Sequence, residues 1–179
     1  MEDALTAQQE FANCFERMYE ICNENNWGDP FNYSRSREIH MANTLRHQIA
    51  QTLSGADAFD QDGECEYKTT VGDKINATYN GISVKPTWEE QVSYLKNEKI
   101  GKYENHYYAR YEGGKIVEIF KMKADKVLDF ILPKLEQKYY SDRKAADPRL
   151  GITIPRGYIV QNAVLVYPTQ DPNNSINFP

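Results

Sequence analysis

The chain has 179 residues, 40% hydrophobic and 26% charged, the balance of a soluble globular protein long enough to bury one core. No apolar run approaches the roughly 18 residues of a membrane span, and the acidic, polar start MEDALTAQQEF is unlike a secretory leader. The net charge of −5 is uneven: residues 1–66 carry 4 basic and 13 acidic side chains, residues 67–179 carry 17 and 13, which permits an anionic partner for the C-terminal part without demanding one.

Cys14, Cys22 and Cys65 lack metal-type C-x-x-C spacing, so reduced thiols packed in a cytoplasmic protein are expected. From Leu5 to Cys22, the apolar residues Phe11, Cys14, Phe15, Met18 and Cys22 recur at steps of three and four and predict an amphipathic helix. Gly28 and Pro30 break it. A second helix, capped by Ser34 or Ser36, is expected to carry Ala42, Leu45, Ile49 and Leu53 on one stripe and to end near Ser54-Gly55. A hairpin around Asp62-Gly63 follows, then a strand within Lys74–Val84. Thr87-x-x-Glu90 behind Pro86 is a capping box for a third helix. The stretch 106–123 reads as two strands joined by Gly113-Gly114. A helix from about Asp125 contains Pro133, expected to kink or interrupt it. DPRLGITIPRG reads as loop, YIVQNAVLVY as a buried strand and the tail from Pro168 as irregular. This order predicts one domain of α/β (α+β) class, a mixed central sheet flanked by helices. Its parts are an N-terminal helical extension (1–35), a core (36–123) and a C-terminal helix, basic loop and strand (124–179).

The hairpin GADAFDQDGECEYKTT crowds carboxylates around one lysine. Opposed like charges destabilise a sheet unless something positive lies between them. With a two-residue turn at Asp62-Gly63, Asp57 faces Lys68, and alternation puts Asp57, Glu64, Glu66 and Lys68 on one face. A one-residue slip would substitute Asp60 as the partner of Glu66 and Lys68.

An aspartate on one strand, a tight turn and an acidic-x-Lys tripeptide on the next resemble the PD-(D/E)xK nuclease superfamily, to which many type II restriction endonucleases belong. Asp57, Glu66 and Lys68 fit the motif positions, with Ala56 where the family name has proline. The order of elements over residues 36–123 also resembles the restriction-endonuclease core. The resemblance implies Mg²⁺ held by Asp57, Glu66 and the carbonyl of Tyr67, a cation that suits oxygen ligands and phosphodiester hydrolysis. It implies that Lys68 holds or helps deprotonate the attacking water and stabilises developing negative charge. A lysine between two carboxylates stays protonated without metal, which favours the stabilising role. Glu38, near the start of the preceding helix, sits where many such nucleases add an acidic residue. Glu64 shares the motif face and is a secondary candidate. Two other acidic-x-Lys tripeptides, Glu136-Gln-Lys138 and Asp142-Arg-Lys144, lack a facing aspartate. Nucleophile-elbow, phosphate-loop and H-E-x-x-H motifs are missing from the sequence.

The implied function is sequence-specific cleavage of double-stranded DNA by a homodimer, with a cognate DNA methyltransferase as genetic partner. Alternating Lys74, Asn76, Thr78 and Asn80 on one strand are candidates for DNA contact. So are Arg143, Lys144, Arg149 and Arg156 in and around the basic loop. Other nucleases of the superfamily, acting in repair, junction resolution or phage biology, would share the motif, and a non-catalytic binding protein could carry it by coincidence.

Overall fold

The computed structural model describes residues 5–52, 54–141 and 149–168. Mixed helix and strand structure fills them, in keeping with the expected α+β class. No helix among them is long and apolar enough to cross a membrane. The chain divides into two compact units, residues 1–59 and 60–179.

In the first unit, α1 spans Ala7–Glu24. Thr6 caps it: its hydroxyl accepts the Gln9 N–H at 3.3 Å, and the Gln9 side chain accepts the Thr6 N–H at 2.8 Å, a reciprocal capping box. The anticipated stripe is present, but Phe11, Cys14, Phe15 and Met18 are exposed and only Cys22 is buried. Phe15 stacks on Phe31 with ring centroids 3.8 Å apart.

Helix α2 spans Arg35–Leu45 and stops well short of Ser54-Gly55, correcting the expected end. Arg46 takes the left-handed conformation at φ 57°, and the His47 N–H returns to the Ala42 carbonyl at 2.8 Å. This closure satisfies a terminal carbonyl without glycine. Beyond it the chain is extended: β1 (Gln48–Ile49) pairs antiparallel with β2 (Ala58–Asp60), Ile49 against Ala58. Ile49 is therefore a strand residue, and Leu53 lies outside the described residues. Arg35 is 1% exposed. Its guanidinium donates to the carbonyls of Trp27, at 2.6 Å, and Ala50.

The second unit holds β3 (Gly63–Val71), β4 (Asn76–Ile82), α3 (Trp88–Tyr94) with a π-helical turn at Leu95–Lys99, β5 (Asn105–Glu112) and β6 (Lys115–Lys123). It continues with α4 (Ala124–Tyr140), β7 (Leu150–Pro155), α5 (Arg156–Asn162) and β8 (Val164–Tyr167). Strands β3, β5, β6 and β8 are neighbours in that order; β3 and β5 run parallel, and the β5–β6 and β6–β8 pairs are antiparallel. Strands β4 and β7 form a separate antiparallel ribbon. The β5–β6 hairpin turns at Gly113 (φ 54°) and Gly114 (φ 78°), the double positive φ of a type I′ turn. The Thr87–Glu90 capping box forms as expected, with bonds of 3.2 Å in both directions.

Four expectations change here. The turn before β3 falls on Gln61-Asp62, with Gly63 opening the strand at φ 120°; the Asp62 N–H bonds the Asp60 carboxylate at 2.8 Å, an Asx-type bond that draws the turn one residue earlier. Helix α4 runs unbroken through Pro133. Its stripe of Val127, Ile131 and Leu135 is buried, whereas Pro133 and Asp129, the residue losing a partner, are exposed to water. The supposed loop contains β7, whose alternating Leu150, Ile152 and Ile154 are buried. The supposed strand 158–167 is α5 followed by β8. An apolar run of this length fits either structure, and periodicity alone does not arbitrate.

Leu95, Tyr108, Ile131, Leu135, Ile154 and Ile159 belong to one cluster that also contains the inward residues of the ribbon, Ala77, Tyr79, Ile82, Leu150 and Ile152. Full burial of each large aliphatic side chain contributes about 1.5–3 kcal/mol before conformational entropy is counted.

Candidate functional site

Alternation along β3 sorts its side chains. Cys65 and Tyr67 are buried, and Glu66 and Lys68 are half-buried. The parallel register sets Glu66 beside His106 and Lys68 beside Tyr108 on one face, and Cys65 beside Asn105 and Tyr67 beside Tyr107 on the other. Residues two apart on a strand share a face, so the Lys68 side chain folds back against its own motif partner. Its ammonium contacts the Glu66 carboxylate directly and donates to the Tyr67 carbonyl at 3.1 Å. The side chains of Lys68 and Glu66 are 23% and 17% exposed. The same ammonium lies 5.3 Å from the centre of the Tyr79 ring.

A fully buried network lies beneath. The Tyr79 hydroxyl is 2.8 Å from His106 Nδ1 and 3.0 Å from the Tyr108 hydroxyl, and His106 Nε2 is 3.1 Å from the Ile100 carbonyl. A carbonyl only accepts, so Nε2 carries the proton and Nδ1 of the neutral ring accepts from Tyr79. Tyr108 then donates to the Tyr79 oxygen. Burial lowers the His106 pKa to about 3, with the Lys68 charge adding to the effect against raising bonds to the Ile100 and Tyr103 backbone. The Tyr108 hydroxyl is pushed up by burial, opposed by the bond to Tyr79 and reinforced by the Glu66 charge.

The opposite face carries a second polar cluster. Asp60 accepts from Asn105 at 2.6 Å and from the Tyr107 hydroxyl at 2.8 Å. Asp62 accepts from Asn105 at 2.9 Å and pairs with Lys121 at 3.3 Å and Lys123 at 3.5 Å. Burial raises the Asp60 pKa, but the bonds from Tyr107, Asn105 and the Asp62 N–H, with the Lys121 charge, outweigh it and leave the group below the usual carboxylate range. Asn105 is fully buried, and its Oδ1 has no hydrogen-bond partner among the described residues. Asp60 thus sits on the Asn105–Tyr107 face, away from Glu66 and Lys68, and the slipped pairing does not hold.

Asp57 belongs to the first unit. It is half-buried immediately before β2, and its carbonyl accepts the Ala50 N–H at 3.0 Å. Glu38, in the same unit, accepts from the Ser34 hydroxyl at 2.5 Å and from Arg35 at 3.4 Å. Its two oxygens are thereby committed to local bonds. Glu64 pairs with Lys102 at 3.0 Å on the surface. Among the described residues, no group of three or more His, Cys, Asp or Glu side chains is arranged to hold a metal ion. The oxygens in contact with the Lys68 ammonium include the Glu66 carboxylate and the Tyr67 backbone carbonyl. Both are hard oxygen ligands of the kind Mg²⁺ takes.

Of the DNA-contact candidates, Arg143 and Lys144 lie outside the described residues. Lys74 is exposed before β4, and Asn76 bonds Thr70 through its backbone N–H, at 3.3 Å, and carbonyl, at 2.7 Å. Thr78 bonds Thr153 across the ribbon at 2.9 Å, and Asn80 is exposed. Arg149 is exposed at the start of β7, and Arg156 pairs with Glu118 at 2.8 Å.

Sequence reasoning missed the Tyr79–His106–Tyr108 network and the Asp60–Asn105–Tyr107 cluster. The signal for the first was present: a histidine inside the aromatic run NHYYARY, if buried, must find partners for both ring nitrogens. Compared with known proteins, the chain matches no family model, and no curated protein sequence aligns with it significantly.

Proposed function

We propose that the chain is a Mg²⁺-dependent endonuclease of double-stranded DNA, most like a small type II restriction enzyme. The observation that carries this reading is the direct contact of Glu66 with Lys68 on a half-buried strand face, beside the Tyr67 carbonyl. A purely solvated surface pair has no need of the tyrosine ring and buried network packed beneath it.

In this reading Glu66 and the Tyr67 carbonyl hold the metal, and the resemblance adds Asp57 as the second carboxylate. Glu66 and the Tyr67 carbonyl would hold the ion so that Lewis-acid chemistry is available at the scissile phosphate. Lys68 orients the attacking water and neutralises charge that develops on the phosphoryl oxygens. The Tyr79 ring limits the room in which the ammonium moves, which keeps it directed toward Glu66. The neutral His106 beneath adds no competing charge. The enzyme acts on duplex DNA as a homodimer, beside a methyltransferase encoded as its genetic partner.

Purified protein incubated with plasmid and Mg²⁺ tests the reading. Discrete fragments are expected, with none from Glu66→Ala or Lys68→Ala variants whose circular dichroism and melting match the parent. Asp57→Ala tests the added ligand separately. Absence of cleavage with any divalent metal, or full activity in Lys68→Ala, overturns the proposal.

A further inference from the structure

The ribbon of β4 and β7 has two unlike faces. Its inner residues Ala77, Tyr79, Ile152 and Ile154 are buried in the core. Its outer face carries Asn76, Thr78 and Asn80 on β4 and Gly151 and Thr153 on β7. Neither strand contains a charged residue. Cations border it instead: Lys74 precedes β4, Arg149 and Arg156 flank β7, and the Lys138 ammonium donates to the Gly151 carbonyl at 2.6 Å. Along the sequence, Asp73 and Asp147 each lie three positions before one of these strands, and Glu118 pairs with Arg156.

Two local features shape the exposed end. The pairing is irregular between Tyr79 and Ile82, and Gly81 lies there at φ 66°; such bulges re-aim the side chain beside them. Gly151 faces that region with no side chain, and a Cβ there would come within 2.8 Å of the Asn80 Oδ1. The Asn80 amide therefore extends over a glycine. A cation would also border this point, since a Cβ on Gly81 would lie 3.9 Å from the Arg149 guanidinium.

We propose that the outer face of this ribbon is the base-reading element, entering the major groove of duplex DNA with Asn80, Thr78 and Thr153 toward the base edges and the bordering cations toward phosphates. The major groove admits a two-stranded ribbon, an asparagine amide matches the N6 and N7 pattern of adenine, and a threonine methyl packs on thymine. Uncharged amide and hydroxyl groups reject mismatched edges, while cations at the margin supply affinity that is independent of sequence. The inference rests on DNA as the proposed substrate and names the surface that selects it. Lys68 on β3 lies against Tyr79 of the inner face of β4, so the motif strand packs against the strand that carries Asn80.

The test uses the full chain with Ca²⁺ in place of Mg²⁺ and a pool of 30-base-pair duplexes carrying a random centre. Bound duplexes are sequenced, and the preferred duplex is then titrated against the pool. The parent protein is expected to select a defined sequence. Asn80→Ala and Thr153→Ala are expected to lose about 5- to 150-fold of that preference, while binding to the unselected pool is kept. Gly151→Ala, which only displaces the Asn80 amide, is expected to change the preference without lowering the melting temperature. Replacing adenine by 7-deazaadenine in the preferred duplex removes a major-groove acceptor and is expected to weaken parent but not Asn80→Ala binding. A parent that binds no duplex or shows no preference, or variants that keep the full preference, overturn the inference. Selective binding that depends on Asn80 without cleavage in Mg²⁺ leaves this inference standing and sinks the nuclease reading. Cleavage at discrete sites unchanged in the ribbon variants does the reverse.

Discussion

The hydroxyl of Tyr79 donates to Nδ1 of His106 across 2.8 Å, in a part of the second unit that water does not reach. The bond requires a neutral imidazole, and burial lowers the pKa of that imidazole to about 3. An unfolded histidine titrates near 6.5. Between these values the unfolded chain binds a proton that the folded chain refuses, so stability rises with pH through the window. The contribution is fully present above about pH 6.5 and is lost as pH falls toward 3. Urea denaturation from pH 7 down to pH 4.5 is expected to show a His106-dependent loss approaching 1.4 kcal/mol per pH unit. In His106→Gln that component disappears, although the variant starts less stable. Parallel pH dependences in the two proteins would contradict the assignment.

Arg35 and Glu38 form a pair at 3.4 Å whose side chains are 1% and 12% exposed. The arginine also holds two backbone carbonyls, from Trp27 and Ala50. Removing one partner of a buried pair leaves the other uncompensated, at a cost of about 3–5 kcal/mol. Arg35→Met is therefore expected to destabilise the chain by roughly that amount. Glu38→Gln keeps shape and the bond from Ser34 and should cost less, on the order of 1–2 kcal/mol. Its plasmid cleavage at a temperature where both proteins are folded should equal the parent rate. A large drop in cleavage with unchanged melting would make Glu38 the additional acidic residue that the resemblance implies.

Asp60 anchors the turn before β3 to β5 through Asn105 and Tyr107. Asp60→Ala removes the acceptor that the buried Asn105 amide and the Tyr107 phenol share, and a loss of about 1–3 kcal/mol is expected in chemical denaturation. Because its folded pKa lies below the usual carboxylate range, this stabilisation is present above about pH 4 and is lost as acid protonates the folded carboxylate. Cleavage by Asp60→Ala should continue below its melting temperature, in contrast to Asp57→Ala. Cleavage lost with normal stability would mean the wrong aspartate was placed in the site.

Local signals carried the sequence reading far in some segments. Gly113-Gly114, Thr87-x-x-Glu90 and the Val127–Ile131–Leu135 stripe each encode their structure within a few residues. The contact of Glu66 with Lys68 was equally legible, because alternation along one strand puts residues two apart on one face. Other features depend on partners distant in sequence. Ile152 and Ile154 become strand residues only when β4 offers an unpaired edge, and the Gln61-Asp62 turn is drawn by a side-chain bond that competes with glycine preference. Asn105 and Tyr107 acquire meaning only once β5 lies beside β3. That parallel pairing spans more than thirty residues of intervening chain (Val71 to Asn105), and no local pattern announces it.

Tyr79 serves two neighbours at once, and two substitutions separate the services. Tyr79→Phe keeps a ring 5.3 Å from the Lys68 ammonium but deprives His106 and Tyr108 of their shared hydroxyl. Its expected cost is about 1–3 kcal/mol of stability, with cleavage close to the parent rate while the protein is folded. Tyr79→Leu removes ring and hydroxyl together. A cation held over an aromatic face gains about 0.5–2 kcal/mol according to how far it is desolvated. If that attraction keeps the ammonium in position, kcat should fall about 2- to 30-fold in Tyr79→Leu, beyond any change in Tyr79→Phe. In the proposed nuclease, KM for plasmid should stay nearly constant, because Tyr79 faces the core. Equal kcat in the two variants would mean that the Tyr79 ring does not position Lys68.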